Sequence, residues 1–231
     1  MSTDILSLRL GITNTYLLRG TKGIVMVDSG PPGKIRAFKR KLSKLYILPG
    51  DIKLLLLTHA HFDHAGLSNE IQNFTDARVM IHRYEWNALE KGQYFDRTGI
   101  DLWGKISGIF LSFFARKISF PLPRPDLIVG DEDISLIDYG VDGTVIHTPG
   151  HTPGSLSVVL KTGEAFVGSM AHAGFPYRTK PGFPVFATDL GELKKSWKKL
   201  VDYGARIIFP AHGNPFPIEL LKQKIENSSE A

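Results

Sequence analysis

The chain contains no cysteine, which removes disulfide staples, thiolate metal sites and a cysteine nucleophile at once and fits a reducing compartment. Any metal must therefore sit on His, Asp or Glu. Long hydrophobic runs are missing as well. The apolar segment 106–115 is well short of the ~20 residues that span a bilayer, so no transmembrane segment is expected, although that stretch could lie against a membrane surface. The opening Met1-Ser2-Thr3-Asp4-Ile5-Leu6 lacks a basic stretch leading into an apolar core, so no secretory leader is read and a cytoplasmic location is expected.

Charge of one sign is only mildly in excess, at +5. The paired lysines concentrate in Leu193-Lys194-Lys195-Ser196-Trp197-Lys198-Lys199-Leu200, where Leu190, Leu193, Trp197 and Leu200 recur at helical spacing and the lysines fill the opposite face. That is the pattern of a solvated helix face, and no nucleic-acid partner is expected. With 231 residues, 42% of them hydrophobic, the chain is long enough to bury a full core as one large domain.

What the chain does have is a dense group of metal-capable side chains, His59-Ala60-His61-Phe62-Asp63-His64, directly after the apolar run Leu54-Leu55-Leu56-Leu57. A buried strand ending at a sheet edge can deliver several side chains from the following turn into one pocket. Imidazole and carboxylate donors suit zinc, with iron or manganese as alternatives. Two further histidines sit in similar settings, each after a strand-like run in a Gly/Pro turn: His151 in Thr148-Pro149-Gly150-His151-Thr152-Pro153-Gly154-Ser155, and His212 in Pro210-Ala211-His212-Gly213. His82 and His147 stand alone at predicted strand ends and read as satisfied structural histidines.

Strand patterns cover residues 7–10, 13–18, 23–28, 52–57 and 78–81, with helices over 34–45 and about 66–73. Residues 84–120 change character. Tyr84, Trp86, Tyr94, Phe95, Trp103, Phe110, Phe113, Phe114 and Phe120 crowd into this stretch, which reads as a helical insertion forming core, a homodimer interface, or a pocket wall or lid. The proline-rich 120–125 closes it. Strands over 127–129, 143–147, 157–160, 165–168 and 206–209 follow, with helices over 190–203 and from 218 and a frayed tail over 227–231. The expected organisation is one domain, residues 1–231, with halves of about 1–83 and 126–231 around the insertion.

Taken together, these residues resemble the metallo-β-lactamase-fold hydrolases, a superfamily that includes glyoxalase II, lactonases, β-lactamases and tRNA-processing nucleases. The resemblance rests on Val27-Asp28-Ser29-Gly30, the Thr58 to Gly66 segment, the His151 loop and the Pro210 to Gly213 turn, in the family's order. It implies an α/β fold of four layers, αββα, with one metal site of His59, His61 and His151 and another of Asp63, His64 and His212. Asp28 would stand behind the ligands and hold them. The chain departs from the family at one position: where most dinuclear members carry a bridging aspartate, it has Gly168-Ser169, which should weaken at least one site. Some β-lactamases of the fold have serine there and remain dinuclear. His172, three residues on, reads as a plain loop histidine in preference to a substitute ligand.

Three neutral ligands on zinc acidify a bound water toward a pKa of ~7, so a metal-bound hydroxide is the expected nucleophile, oriented by Asp63. Ser155 has no partners in sequence that would make it one. The expected activity is zinc-dependent hydrolysis, at one or two ions per chain, of a small ester, lactone or thioester. The competing readings are a phosphodiesterase or nuclease, a β-lactamase, an iron-dependent persulfide dioxygenase, and a metal-poor ligand-binding relative.

Overall fold

In the computed structural model, which describes residues 3–93, 99–106, 108, 118–174 and 178–227, the chain opens as an antiparallel meander. The meander consists of β1 (Asp4–Leu10), β2 (Thr13–Arg19) and β3 (Ile24–Val27). Strand–helix alternation follows: α1 (Ile35–Lys44), β4 (Ile52–Leu56), α2 (Phe62–Ala65), α3 (Ser68–Thr75), β5 (Arg78–His82) and α4 (Arg83–Glu90). After the aromatic stretch come β6 (Leu127–Val129), β7 (Ile134–Ser135), β8 (Gly143–His147), β9 (Leu156–Leu160), β10 (Glu164–Phe166) and β11 (His172–Ala173). The chain then runs through α5 (Leu190–Asp202), β12 (Ile207–Phe209), β13 (His212–Gly213), β14 (Phe216–Pro217) and α6 (Glu219–Asn227).

The strands form two six-stranded sheets, ordered β1-β2-β3-β4-β5-β6 and β14-β12-β10-β9-β8-β7, with β11 and β13 paired separately. From β3 to β6 the first sheet is parallel, so the carboxyl ends of β3, β4 and β5 lie side by side. That arrangement gathers functional side chains along one edge.

Period-two alternation explains the layering. In β4, Leu54 and Leu56 face one apolar core while Leu55 faces another, and in β3, Val25 and Val27 oppose Ile24 and Met26 in the same way; Ile52 joins the Leu55 side across the register shift at the start of the β3–β4 pairing. The shared core lies between the sheets, where Tyr16, Leu18 and Leu56 meet Val145, Val158 and Phe166. The outer cores lie under helices, Phe38 and Leu42 of α1 on one side, Leu193, Trp197 and Leu200 of α5 on the other. Three apolar seams separate four layers, the αββα sandwich expected. Two side-chain caps fix helix starts: His82 accepts from the Tyr84 N–H at α4, and Asp189 from the Glu192 N–H at α5.

The structure differs from the sequence reading in several places. The turn carrying the histidine cluster winds into α2, and the next helix starts at Ser68, two residues after the 66 expected. The two-residue strands β7, β11, β13 and β14 are too short to carry a periodic signal. β6 pairs with β5, so the change of sheet falls after Val129 and not at 126. In the aromatic stretch, Phe120 is buried in the first outer core and Trp86 packs against it, whereas Tyr84 and Trp103 are half exposed. Tyr94, Phe95, Phe110, Phe113 and Phe114 lie outside the described residues. Among the described residues no helix is long and apolar enough to cross a membrane.

Candidate metal centre

All six residues expected as ligands are buried and meet at the sheet edges. His59, His61, Asp63 and His64 follow β4, His151 lies in the loop between β8 and β9, and His212 opens β13. Nε2 of His151 is 3.2 Å from Nε2 of His59 and 3.3 Å from Nδ1 of His61. Nitrogens sharing a tetrahedral zinc at 2.0–2.1 Å are about 3.3–3.4 Å apart. The ring planes of the three pairs cross at 79°, 88° and 84°, so in-plane lone pairs can converge on one point. In the second group, Asp63 Oδ2 and His64 Nε2 lie 3.3 and 3.4 Å from His212 Nε2 and 3.7 Å from each other.

The far sides of the His59, His64, His151 and His212 rings are held by hydrogen bonds, which selects the nitrogen left bare. Thr58 donates its hydroxyl proton to the Asp28 carboxylate, leaving its oxygen to accept from Nδ1 of His59 at 2.9 Å. His64 Nδ1 donates to Asp28 Oδ2 at 2.7 Å, His151 Nδ1 to the Phe186 carbonyl at 2.9 Å and His212 Nδ1 to the Ile12 carbonyl at 3.2 Å. Asp28 thus contacts one ring of each group, His64 directly and His59 through the Thr58 hydroxyl. The Thr58 backbone N–H also donates to the Asp28 carboxylate, at 2.8 Å.

Electrostatics distinguish the two groups. Burial first, and then neighbouring imidazoles, hold the His59 and His151 rings well below their usual range, leaving them neutral with unprotonated nitrogens. Burial opposes charge at His64 too, but Asp28 and Asp63 outweigh it and raise its proton affinity. Burial likewise pulls Asp63 upward, yet His64 and His212 hold the carboxylate far below its usual range. His59 and His151 therefore offer neutral donors, and the second group attracts positive charge. Both properties fit a divalent cation.

Ser169 faces this second group, its Oγ 3.0 Å from His64 Nε2. His172 is not a loop residue: it lies in β11 in register with His212, its buried ring edge-on to His212 at 4.9 Å. It nevertheless belongs to neither convergent set.

His82 and His147, read as isolated, meet each other. His82 Nε2 and His147 Nδ1 lie 3.2 and 3.3 Å from Asp131 Oδ1, edges that would also suit a cation. Their rings, however, stack at 4.5 Å and 8°, and parallel rings cannot both point an in-plane lone pair at one ion. His82 Nδ1 accepts the Tyr84 N–H, which puts its proton on Nε2 and makes that nitrogen a donor to Asp131. His147 Nε2 donates to the Pro153 carbonyl. This trio ties β5 to β8 and the His151 loop, a structural role.

A cavity of about 560 Å³ opens beside His61, lined by Ala60, Tyr84, Asn87, Lys91 and Thr152 among others. Sequence reasoning missed Glu85, a buried carboxylate between this cavity and the ligand loops. An acid in the first turn of a helix is too ordinary to signal such a place.

A family model described as the metallo-beta-lactamase superfamily matches residues 8–212. A probable metallo-hydrolase of Methanocaldococcus jannaschii is 29% identical over 149 residues, 64% of this chain and 63% of that protein, so the match spans a little under two thirds of the relative. An acyl-coenzyme A thioesterase of Homo sapiens is 28% identical over 235 residues, 93% of this chain and 77% of that protein. A metallo-beta-lactamase family protein from Thermus thermophilus superposes with a TM-score of 0.66 at 21% identity, covering 99% of this chain and 79% of the other.

Proposed function

The chain belongs to the metallo-beta-lactamase superfamily of metallo-hydrolases, and on that premise we propose that it is a zinc-dependent hydrolase of small thioesters. In this reading His59, His61 and His151 hold one cation, and Asp63, His64 and His212 a second. The observation that carries it is the convergence of three buried imidazoles, with His151 Nε2 at tetrahedral-edge distances from nitrogens of both His59 and His61. The likeness to a thioesterase over nine tenths of the chain favours a thioester over an oxygen ester or lactone.

When bound, the cation supplies Lewis acidity and an acidified water near neutral pH. The remaining steps fall to the chain. Asp63 stays ionised and is fixed by the Thr13 hydroxyl, which donates to its Oδ2 at 3.2 Å, so it can orient the attacking water. His61 forms part of the cavity wall, which supports a reading in which the scissile carbonyl sits beside the three-histidine group. Asn87, Lys91 and Thr152 give the cavity a polar face suited to the polar remainder of such a substrate. A thiolate leaves readily, free thiols having pKa values near ~8.5, so the reaction asks little of a general acid.

The test is a panel of acyl thioesters, lactones, lactams and aryl phosphodiesters, run beside elemental analysis of protein purified without chelator. Thioester turnover with zinc bound, lost in His61→Ala, is the expected result. Turnover of lactones with thioesters inert would overturn the substrate class. One iron per chain with persulfide oxidation would replace the hydrolytic reading.

A further inference from the structure

Glu85 sits in the first turn of α4 and is 2% exposed. Oε2 accepts the backbone N–H of Ala60 at 2.8 Å, and Oε1 accepts that of Gly154 at 2.8 Å. The Thr152 hydroxyl bonds to the same carboxylate. Ala60 lies between His59 and His61, Thr152 follows His151, and Gly154 is three residues beyond that histidine. One side chain thus joins the two loops that bring all three imidazoles of the first group, loops about ninety residues apart in the chain.

The approach is close. A Cβ on Gly154 would lie 2.6 Å from Nδ1 of His82 and 2.8 Å from Oε1 of Glu85, so the His151 loop rests on the start of α4 with no room for a side chain between. A buried carboxylate is costly unless fully hydrogen-bonded, and an apolar residue would fill the volume more cheaply. Three donors aimed at it from both ligand loops give it a different use. Donor positions matter at the half-ångström scale in a metal site, and here the spacing between His151 and the His59/His61 pair depends on what separates their loops.

We infer that Glu85 is a positioning residue that sets this separation and thereby the affinity and geometry of the three-histidine cation site. The inference rests on the reading of His59, His61 and His151 as cation ligands. Glu85 touches neither the cation position nor the ligand rings in this role; it acts through the backbone of Ala60 and Gly154 and the hydroxyl of Thr152.

The experiment titrates the full-length metal-free chain with Co(II) alone, following absorption bands and stoichiometry in wild type, Glu85→Gln and His61→Ala. Glutamine keeps the size but turns one acceptor into a donor facing an N–H. Glu85→Gln should weaken the three-histidine site by about 10- to 100-fold, the range for residues that orient ligands, and shift its bands while the Asp63/His64/His212 site is unchanged. kcat should fall with little change in KM. Should Glu85→Gln not fold, Glu85→Asp serves: it keeps the charge but is too short to reach both loops, and the same site should weaken. An unaltered Co(II) titration, or equal weakening of both sites in step with lost thermal stability, would overturn the inference. If His61→Ala also leaves stoichiometry and bands intact, the failure lies in the ligand assignment beneath it.

Discussion

Nδ1 of His64 lies 2.7 Å from Oδ2 of Asp28, a buried contact between the end of β3 and the helical turn after β4. The same carboxylate takes the backbone N–H and the hydroxyl of Thr58, and through that hydroxyl it fixes His59. Asp28 has a backbone φ of +61°, a left-handed conformation that Asp and Asn tolerate better than other side chains with a Cβ. Asp28→Asn therefore leaves the backbone unstrained while placing an amide N–H2 against one of three donors. Metal affinity should fall by about 10- to 100-fold, as read by competition against a chromophoric chelator. An unchanged affinity would show that the carboxylate does no orienting.

Ser169 occupies the place of the missing carboxylate, 3.0 Å from His64 Nε2. Ser169→Asp adds a negative charge and a candidate ligand beside the Asp63, His64 and His212 group. The second metal should bind at least about tenfold more tightly, about 1.4 kcal/mol. Isothermal titration of the chelated protein with zinc reads this directly. Identical isotherms for wild type and variant would mean that position 169 does not contact the cation.

The histidine cluster after β4 was legible because four donors within six residues leave little room for other uses. His151 and His212 were legible because each follows a strand-like run and sits in a Gly/Pro turn. The sheets were legible where both faces are buried, as in β3 and β4, and illegible in β11 and β13, where two residues show no period. Glu85, Asp131 and the pairing of His82 with His147 were hidden for a different reason. Their partners come from distant segments, and nothing local marks a buried carboxylate or a stacked ring pair.

Gly150 precedes His151 with a φ of +130°, a region nearly closed to residues with a Cβ. An added Cβ would also collide with the backbone nitrogen of Leu193 at the start of α5. Gly150→Ala should destabilise the fold by roughly 2–4 kcal/mol, combining backbone strain with overpacking. The displaced loop carries His151, so metal content should fall as well. Urea unfolding and elemental analysis of the same preparation test both parts, and native stability with full metal would show that the loop accommodates the methyl.

His82 provides the pH prediction. Burial first, and then the facing His147 ring, lower its proton affinity despite the Asp131 carboxylate, with the Arg83 guanidinium adding to the repulsion. The folded chain therefore holds His82 neutral at pH values where the unfolded chain, with an ordinary value near 6.5, takes up a proton. The unfolded state binds more protons in that window, so stability rises with pH and is lost as pH falls below about 6.5 toward the lower folded value. His82→Asn keeps an acceptor for the Tyr84 N–H, asparagine being a favoured helix cap, but does not titrate. At pH 8 the variant should be less stable than wild type by about 1–3 kcal/mol from lost packing. By pH 5 that gap should narrow, because only wild type suffers the protonation of its unfolded chain. Urea midpoints at the two pH values measure it, and a gap that widens with acid would mean that the fold stabilises the protonated ring.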